Sequence, residues 1–156
     1  MTIVNLTSLP EHLPTLAAWH QAEWAELNPG QSLQQRIGKM QAYLHGDAVP
    51  ATYLYLHDGE LAGSAALIAC DMDTRPELTP WLASVFVAPP FRNQGIGSQL
   101  VRHVMQQAKG AGFERLYLFT PDRAAFYRRL EWRVLQQELY RGHEVSVMQA
   151  DLLAPK

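Results

Sequence analysis

The sequence predicts an α/β domain of the α+β kind: a central, mixed but mostly antiparallel twisted sheet of about seven strands, carrying about four helices. Three observations lead there. Between residues 51 and 87, apolar runs of strand length follow one another with no helix among them, so these strands pair as a meander and not through crossovers. A single strand-turn-helix unit follows, from Trp81 to Ala108. The chain then closes on two further strand-like runs joined by Arg141-Gly142-His143. With 156 residues, 47% of them hydrophobic, it fits one domain over residues 1–156 that buries its core without disulfides or a structural metal.

The elements follow in order. Ile3 to Leu6 forms a short strand. Pro10 precedes an amphipathic helix carrying Leu13, Leu16, Ala17, Trp24 and Leu27, which the break Asn28-Pro29-Gly30 ends. Ser32 is an N-cap for a second helix, Leu33 to Leu44, with Leu33, Ile37, Met40 and Leu44 as its apolar stripe. Thr52 to Leu56 and Leu61 to Ala69 make a hairpin about Asp58-Gly59. A loop rich in Pro and Asp, Asp71 to Pro80, leads into Trp81 to Val87, apolar enough for a central strand and stopped by Pro89 and Pro90. A helix begins at about Gly95, buries Ile96, Leu100, Val101, Val104 and Ala108, and ends at Gly110 and Gly112. Arg115 to Phe119 is a buried strand, Arg123 to Leu130 a short helix, and Trp132 to Tyr140 and Glu144 to Met148 the last strands.

Composition excludes several classes. Cys70 is the single cysteine, which rules out an internal disulfide and a cysteine-cluster metal site and fits a reducing, cytoplasmic compartment. Met1-Thr2-Ile3-Val4-Asn5 does not read as an export signal, and no apolar run spans a bilayer. The net charge of −2 is unevenly spread: residues 1–91 hold three Lys/Arg against nine Asp/Glu, a balance of −6, and residues 92–156 hold ten against six, a balance of +4. That asymmetry suits an anionic ligand on the second half and a cationic one on the first. No dense basic cluster points to nucleic acid.

The chemistry-bearing segment is Arg92-Asn93-Gln94-Gly95-Ile96-Gly97, between the Pro-Pro turn and a helix start. Unpaired amides at a helix N-terminus, with glycines that let the backbone approach, form an anion site suited to a pyrophosphate, and Arg92 adds charge. Two familiar phosphate loops fail on these residues. No Lys-Ser/Thr follows the glycines, there is no third Gly at dinucleotide-fold spacing, and a hairpin meander precedes the turn.

Phe86-Val87-Ala88-Pro89 followed by Arg92 to Gly97 resembles the signature of the GCN5-related N-acetyltransferase (GNAT) superfamily, and the family's order of elements covers essentially the whole chain. The resemblance implies a GNAT fold splayed between the fourth and fifth strands, and an N-acetyltransferase that moves the acetyl group of acetyl-CoA directly to a primary amine. It implies that the amides of Gln94 to Ser98 cradle the pyrophosphate, and that Val85, Phe86 and Val87 offer main-chain groups to the pantetheine arm. Phe126-Tyr127-Arg128-Arg129-Leu130-Glu131-Trp132 resembles a second family segment, in which Tyr127 is the acid that protonates the leaving thiolate. There are two departures from the pattern. Thr120 stands where relatives have an Asn on pantetheine, and Glu131 replaces a Gly, placing a negative charge at a helix C-terminus.

No carboxylate occupies the fourth strand. Ser84 is the candidate to position a water, and Asp71, Asp73, Glu23, Glu26 and His143 are candidate bases from the substrate side. Trp24 and Trp81, with Tyr140, are candidate acceptor walls. The substrate-site set is therefore Trp24, Glu26, Asp71, Trp81 and His143. No metal is expected. Acceptors range from a small molecule to a peptide or protein amine, assembly is open between monomer and homodimer, and the alternative class is an acyl-CoA-binding regulatory module without turnover.

Overall fold

The computed structural model describes residues 2–25 and 29–152; Glu26, Leu27 and Asn28 lie outside them. Chain order is β1 (Thr2–Asn5), α1 (Leu13–Trp24), α2 (Leu33–Met40), β2 (Ala51–His57), β3 (Glu60–Ile68), β4 (Trp81–Val87), α3 (Ile96–Gly110), β5 (Arg115–Thr120), α4 (Ala124–Arg128), β6 (Arg133–Tyr140) and β7 (His143–Asp151). The strands form one seven-stranded sheet in the order β1-β2-β3-β4-β5-β7-β6. Every neighbouring pair is antiparallel except β4 and β5, which run parallel.

That parallel pair is the feature that builds a site. β4 and β5 register at one position only, Trp81 opposite Tyr117, where β4 enters the sheet. Beyond it the two strands diverge. The backbone edges of Leu82–Val87 and Leu118–Thr120 thus face a gap instead of each other.

Alternation along the strands sorts the core onto two faces. On one, α3 buries Ile96, Leu100, Val101, Val104 and Ala108 against Tyr53, Leu67, Leu116, Leu118 and Met148. Each such large apolar side chain contributes about 1.5–3 kcal/mol of burial. On the other, α1 and α2 pack Leu13, Leu16, Ala17 and Met40 against Leu54 and Leu61. Consecutive residues Tyr53 and Leu54 go to opposite layers, as a period of two requires.

The elements expected from sequence are present, most with ends shifted by one to three residues. α2 starts where Ser32 caps it: the Ser32 hydroxyl accepts from the Gln35 amide at 3.1 Å and the Gln35 side chain accepts from the Ser32 amide at 2.8 Å. It stops at Met40, short of Leu44, because the chain tightens into a 3₁₀ turn, Gln41–His45, closed by Gly46 in the left-handed region. α1 begins three residues after Pro10, since Pro10–His12 forms its own 3₁₀ turn. Among the described residues no helix is long and apolar enough to cross a membrane.

Candidate functional site

Between the diverging strands lies a cleft of about 1040 Å³, floored by Leu82–Val87 on one side and Leu118–Thr120 on the other. β4 runs its length, roughly 20 Å, and so gives it two ends. The C-terminal end of β4 leads into α3. The N-terminal end lies beside Ile68, paired with Trp81, and the loop that carries Cys70 and Asp71.

At the α3 end the chain makes two left-handed steps, Asn93 (φ 65°) and Gly95 (φ 78°), before the helix starts at Ile96. No side chain caps α3, so its first amides are left without intrahelical or side-chain partners. An added Cβ at Gly95 would meet nothing within 4 Å, so the space above the turn is open. Gly97 differs: a Cβ there would make ordinary contact with Phe126 at 3.5 Å and Val87 at 3.8 Å. Asn93, Gly95, Ile96, Gly97 and Ser98 line the cleft, as do the cationic Arg92, Arg123 and Arg129. Gln94 is exposed and its neighbours form the lining. Arg92 is held by β4: its Nε donates to the Val87 carbonyl at 2.8 Å and its guanidinium sits 5.6 Å over the Phe86 ring. It thereby closes the strand end as well as charging the site.

Midway along β4 the register with β3 jumps. Ser64 faces Phe86 and Ala66 faces Ala83, so Ser84 and Val85 together stand opposite Ala65. This is a β-bulge, and Ser84 takes φ 55°, a strained conformation for a residue with a side chain. Ser84, Val85, Phe86 and Val87 all line the cleft. Gly63 makes the bulge possible, because a Cβ there would lie 2.6 Å from the Phe86 carbonyl oxygen.

Tyr127 lines the opposite wall from α4, is 8% exposed, and stacks edge-on with Phe126 at 4.9 Å and Trp132 at 6.0 Å. Burial pushes its hydroxyl up to about 12, against a smaller opposing pull from Arg123, so it stays protonated at any working pH. Thr120 is buried, and its hydroxyl accepts from the Arg123 amide at 3.0 Å and the Asp122 amide at 3.4 Å. Its oxygen is therefore committed to the turn that launches α4, leaving only its proton to offer the cleft. Glu131 takes φ 73° just after α4, donating its amide to Arg128 O at 3.0 Å. That left-handed position suits glycine on conformational grounds, which adds to the charge argument made from sequence.

At the other end, burial lifts the Asp71 carboxyl to about 7, with Arg141 opposing. Asp71 in turn raises the neighbouring Tyr43 hydroxyl, which burial chiefly pushes up to about 12. Trp24, at the end of α1, lines the cleft with its ring 6.2 Å from Phe86, and Glu23, Tyr140, Arg141 and His143 line it too. Asp73 is exposed and faces Arg141 at 3.4 Å. Trp81 is different. It is fully buried, donates its indole proton to Leu78 O at 2.7 Å, and packs against Tyr117 and Phe119, so it backs the site and does not reach the cleft. Its place in the floor of the sheet follows from its pairing with Ile68 at the point where β4 and β5 meet. Glu26 lies outside the described residues. Among the described residues no group of three or more His, Cys, Asp or Glu side chains is placed to hold a metal ion.

Sequence reasoning missed Arg36, Lys39, Met40 and Tyr43, which all line the cleft. Their signal was available, since i, i+3, i+4, i+7 is one helical face. Met40 was read as part of the apolar stripe, and Arg36, Lys39 and Tyr43 were given no role. His20, buried against Trp24 and held to about 3 by burial and by Arg36, is a neutral core histidine bonded to Ser64 at 3.2 Å.

The split sheet, the uncapped α3 turn and the bulged β4 together shape one cleft. Residues 13–132 match the Acetyltransferase (GNAT) family, and the chain belongs to that family. No curated protein matches it. Among solved structures, an aminoglycoside 6'-acetyltransferase type Ii superposes with a TM-score of 0.76 at 17% identity, covering 100% of both chains. The yncA protein of Salmonella typhimurium, solved with its cofactor acetyl-CoA, gives 0.71 at 17%, covering 100% of this chain and 98% of that one. An N-acetyltransferase of Staphylococcus aureus Mu50 gives 0.70 at 16%, covering 97% and 99%. At these identities the likeness concerns the fold: a seven-stranded mixed sheet with four helices, not closed into a barrel.

Proposed function

We propose that this chain is a single-domain, cytoplasmic N-acetyltransferase that binds acetyl-CoA along β4 and transfers its acetyl group directly to a primary amine. One observation carries the reading. In a member of the GNAT family, the uncapped N-terminus of α3 opens, through the bare Gly95 turn, onto a cleft also lined by Arg92, Arg123 and Arg129. That combination suits a diphosphate, and the split between β4 and β5 suits an extended arm laid along a strand edge. The residues present thus fit the cosubstrate, with Asn93 to Ser98 holding its phosphates and Val85 to Val87 its arm.

Bound acetyl-CoA supplies an electrophilic thioester. The chain's own residues do the rest. Asp71, near 7, takes the proton that keeps the incoming amine unreactive. The Ser84–Val85 bulge interrupts the regular β3 register on the cleft side of β4, and we assign its backbone to the acetyl carbonyl oxygen and the Ser84 hydroxyl to a water between amine and base. Tyr127, protonated throughout, donates a hydrogen bond to the departing sulfur. Loss of water from the cleft strengthens each of these contacts.

The test is thermal and kinetic. Acetyl-CoA is expected to raise the melting temperature by mass action, and Gly95→Glu, which puts bulk and negative charge into the open turn, is expected to remove that shift. Release of free thiol in the presence of an amine then marks an enzyme. An undiminished shift in a folded Gly95→Glu variant overturns the phosphate assignment; a shift without thiol release from any amine marks a binding module.

A further inference from the structure

The acceptor end of the cleft does not carry the charge that the sequence asymmetry leads one to expect. Residues 1–91 hold nine acids and only three bases. Yet among the described residues the acids that line the cleft from this half are Glu23 and Asp71 alone, whereas two of its three bases, Arg36 and Lys39, do so. Arg141 joins them from the β6–β7 turn. From this half the described acids and bases thus line the cleft in equal number, two of each.

Arg36 is the most informative of these side chains. It is partly buried, and burial lowers its pKa from the usual value. Its Nε donates to the Gln21 side chain at 3.2 Å, and no described carboxylate lies within ion-pair distance. A guanidinium has five donor hydrogens in a flat fork; one is used here. Partly desolvated donors without an acceptor are costly, and the fork matches a carboxylate or phosphate in shape and charge. Gln31, which lines the same cleft, has its side-chain oxygen buried without a hydrogen-bond partner.

This end of the cleft is also walled. The β3–β4 loop belongs to one half of the split sheet but is fastened to the other. Arg75 grips Glu138 and, at 3.0 Å, Gln136 on β6, and Asp73 meets Arg141 at 3.4 Å. The loop so anchored, which brings Cys70 and Asp71 to the cleft, ties the two halves of the sheet together at its side, and that tether favours a compact acceptor over a protein surface.

We infer that the acceptor is a small primary amine that also carries an anionic group, a carboxylate or a phosphate, with its amine at Asp71 and its anion at Arg36 and Lys39. This deepens, and rests on, the acetyl-transfer reading above. The amine loses a proton to Asp71, its nitrogen forms the bond to the acetyl carbon, the thioester C–S bond breaks, and the pair of electrons leaves on sulfur with a proton. A polyamine or other multiply cationic acceptor meets Arg36, Lys39 and Arg141 at the same end and is disfavoured.

The experiment uses matched amines on the intact protein: 4-aminobutyrate and 6-aminohexanoate against butylamine and hexylamine, phosphoethanolamine against ethanolamine, and 1,5-diaminopentane as a dication. Thiol release gives kcat and KM, and calorimetry gives binding without turnover. The anionic member of a pair is expected to be favoured about 10- to 100-fold in kcat/KM, the worth of one charge-assisted contact. The carboxylate and phosphate arms identify which anion fits. Arg36→Ala is expected to raise KM for the anionic amine about 10- to 100-fold more than for its neutral counterpart, erasing the preference, and Arg36→Lys to restore part of it. Preference for the neutral or dicationic amines, or an Arg36→Ala effect equal for both members, overturns the inference. If no amine releases thiol although acetyl-CoA still raises the melting temperature, transfer itself has failed. Calorimetry then decides, with anion-selective binding lost in Arg36→Ala supporting the acceptor class and unselective binding overturning it.

Discussion

Replacing Asp71 by Asn probes the proposed base and the cost of burying it together. Burial raises the carboxyl from 3.8 to about 7, Arg141 pulls the other way, and the two neighbouring hydroxyls, Tyr43 and Tyr140, are themselves held protonated well above that range. As base, Asp71 acts only when ionised. The rate is thus expected to climb tenfold per pH unit below about 7 and to level above it, so activity at pH 5 is about 1% of the plateau. Asp71→Asn is expected to remove this limb and to lower the plateau about 10²- to 10⁴-fold. Stability moves in the opposite sense. A carboxyl whose folded pKa exceeds its unfolded one is bound to more protons when folded, so wild-type stability declines as pH rises from about 4 to about 7 and is flat beyond. The shift of about three units corresponds to at most about 4 kcal/mol, which Asp71→Asn recovers above pH 7 and not below pH 4. Melting curves and initial rates across pH 4.5–9 on both proteins measure the two effects. A surviving limb near pH 7 in Asp71→Asn would assign the base elsewhere.

Three further changes follow from the same geometry. Tyr127→Phe keeps the ring packed on Phe126 and Trp132 but removes the only proton it has to give, so kcat is expected to fall about 10²-fold with acetyl-CoA affinity unchanged; lost affinity without lost rate would make it a binding residue. Glu131→Gly relieves a side chain at φ 73° and a negative charge at the end of α4, and is expected to raise stability by about 1 kcal/mol in chemical unfolding, with no gain meaning that the strain is absorbed locally. Gly63→Ala drives a methyl into the Phe86 carbonyl and is expected to cost about 1–3 kcal/mol and to weaken coenzyme binding; a neutral outcome would show that β4 yields freely at the bulge.

What was legible in the sequence was whatever has a short-range signature. Ser32 announces a helix N-cap, Asp58-Gly59 a hairpin turn, and Arg92 to Gly97 an uncapped helix start, because each is decided by a few consecutive residues. Trp81 was misplaced for a different reason: its apolar bulk suits a core and an acceptor wall equally, and only the pairing of β4 with β5 decides between them. The face of α2 was hidden likewise. Arg36 and Lys39 line a cleft only because the split in the sheet lies beside α2, and that split depends on contacts between residues far apart in the chain.

The same long-range logic explains why local strain collects where it does. A straight β4 would pair with β3 along its whole length and present a regular edge to the cleft. Gly63 instead lets β3 come within a Cβ's reach of the Phe86 carbonyl, and the chain absorbs the extra residue at Ser84 by adopting φ 55° there. Such a conformation costs of order 1–3 kcal/mol and survives only when its surroundings enforce it. Here the enforcement is visible on both sides. Ala88 donates to Ala62 at 2.8 Å and Arg92 to Val87 at 2.8 Å, pinning β4 after the bulge, while Ile68 and Trp81 pin it before. The irregular stretch of β4 is therefore held rigidly at the middle of the cleft, between the open α3 turn and the Asp71 end. In the transfer proposed above, this is where the two ligands meet, and a site fixed there at a cost in stability is the arrangement expected of a group that binds a developing charge and not merely a resting ligand.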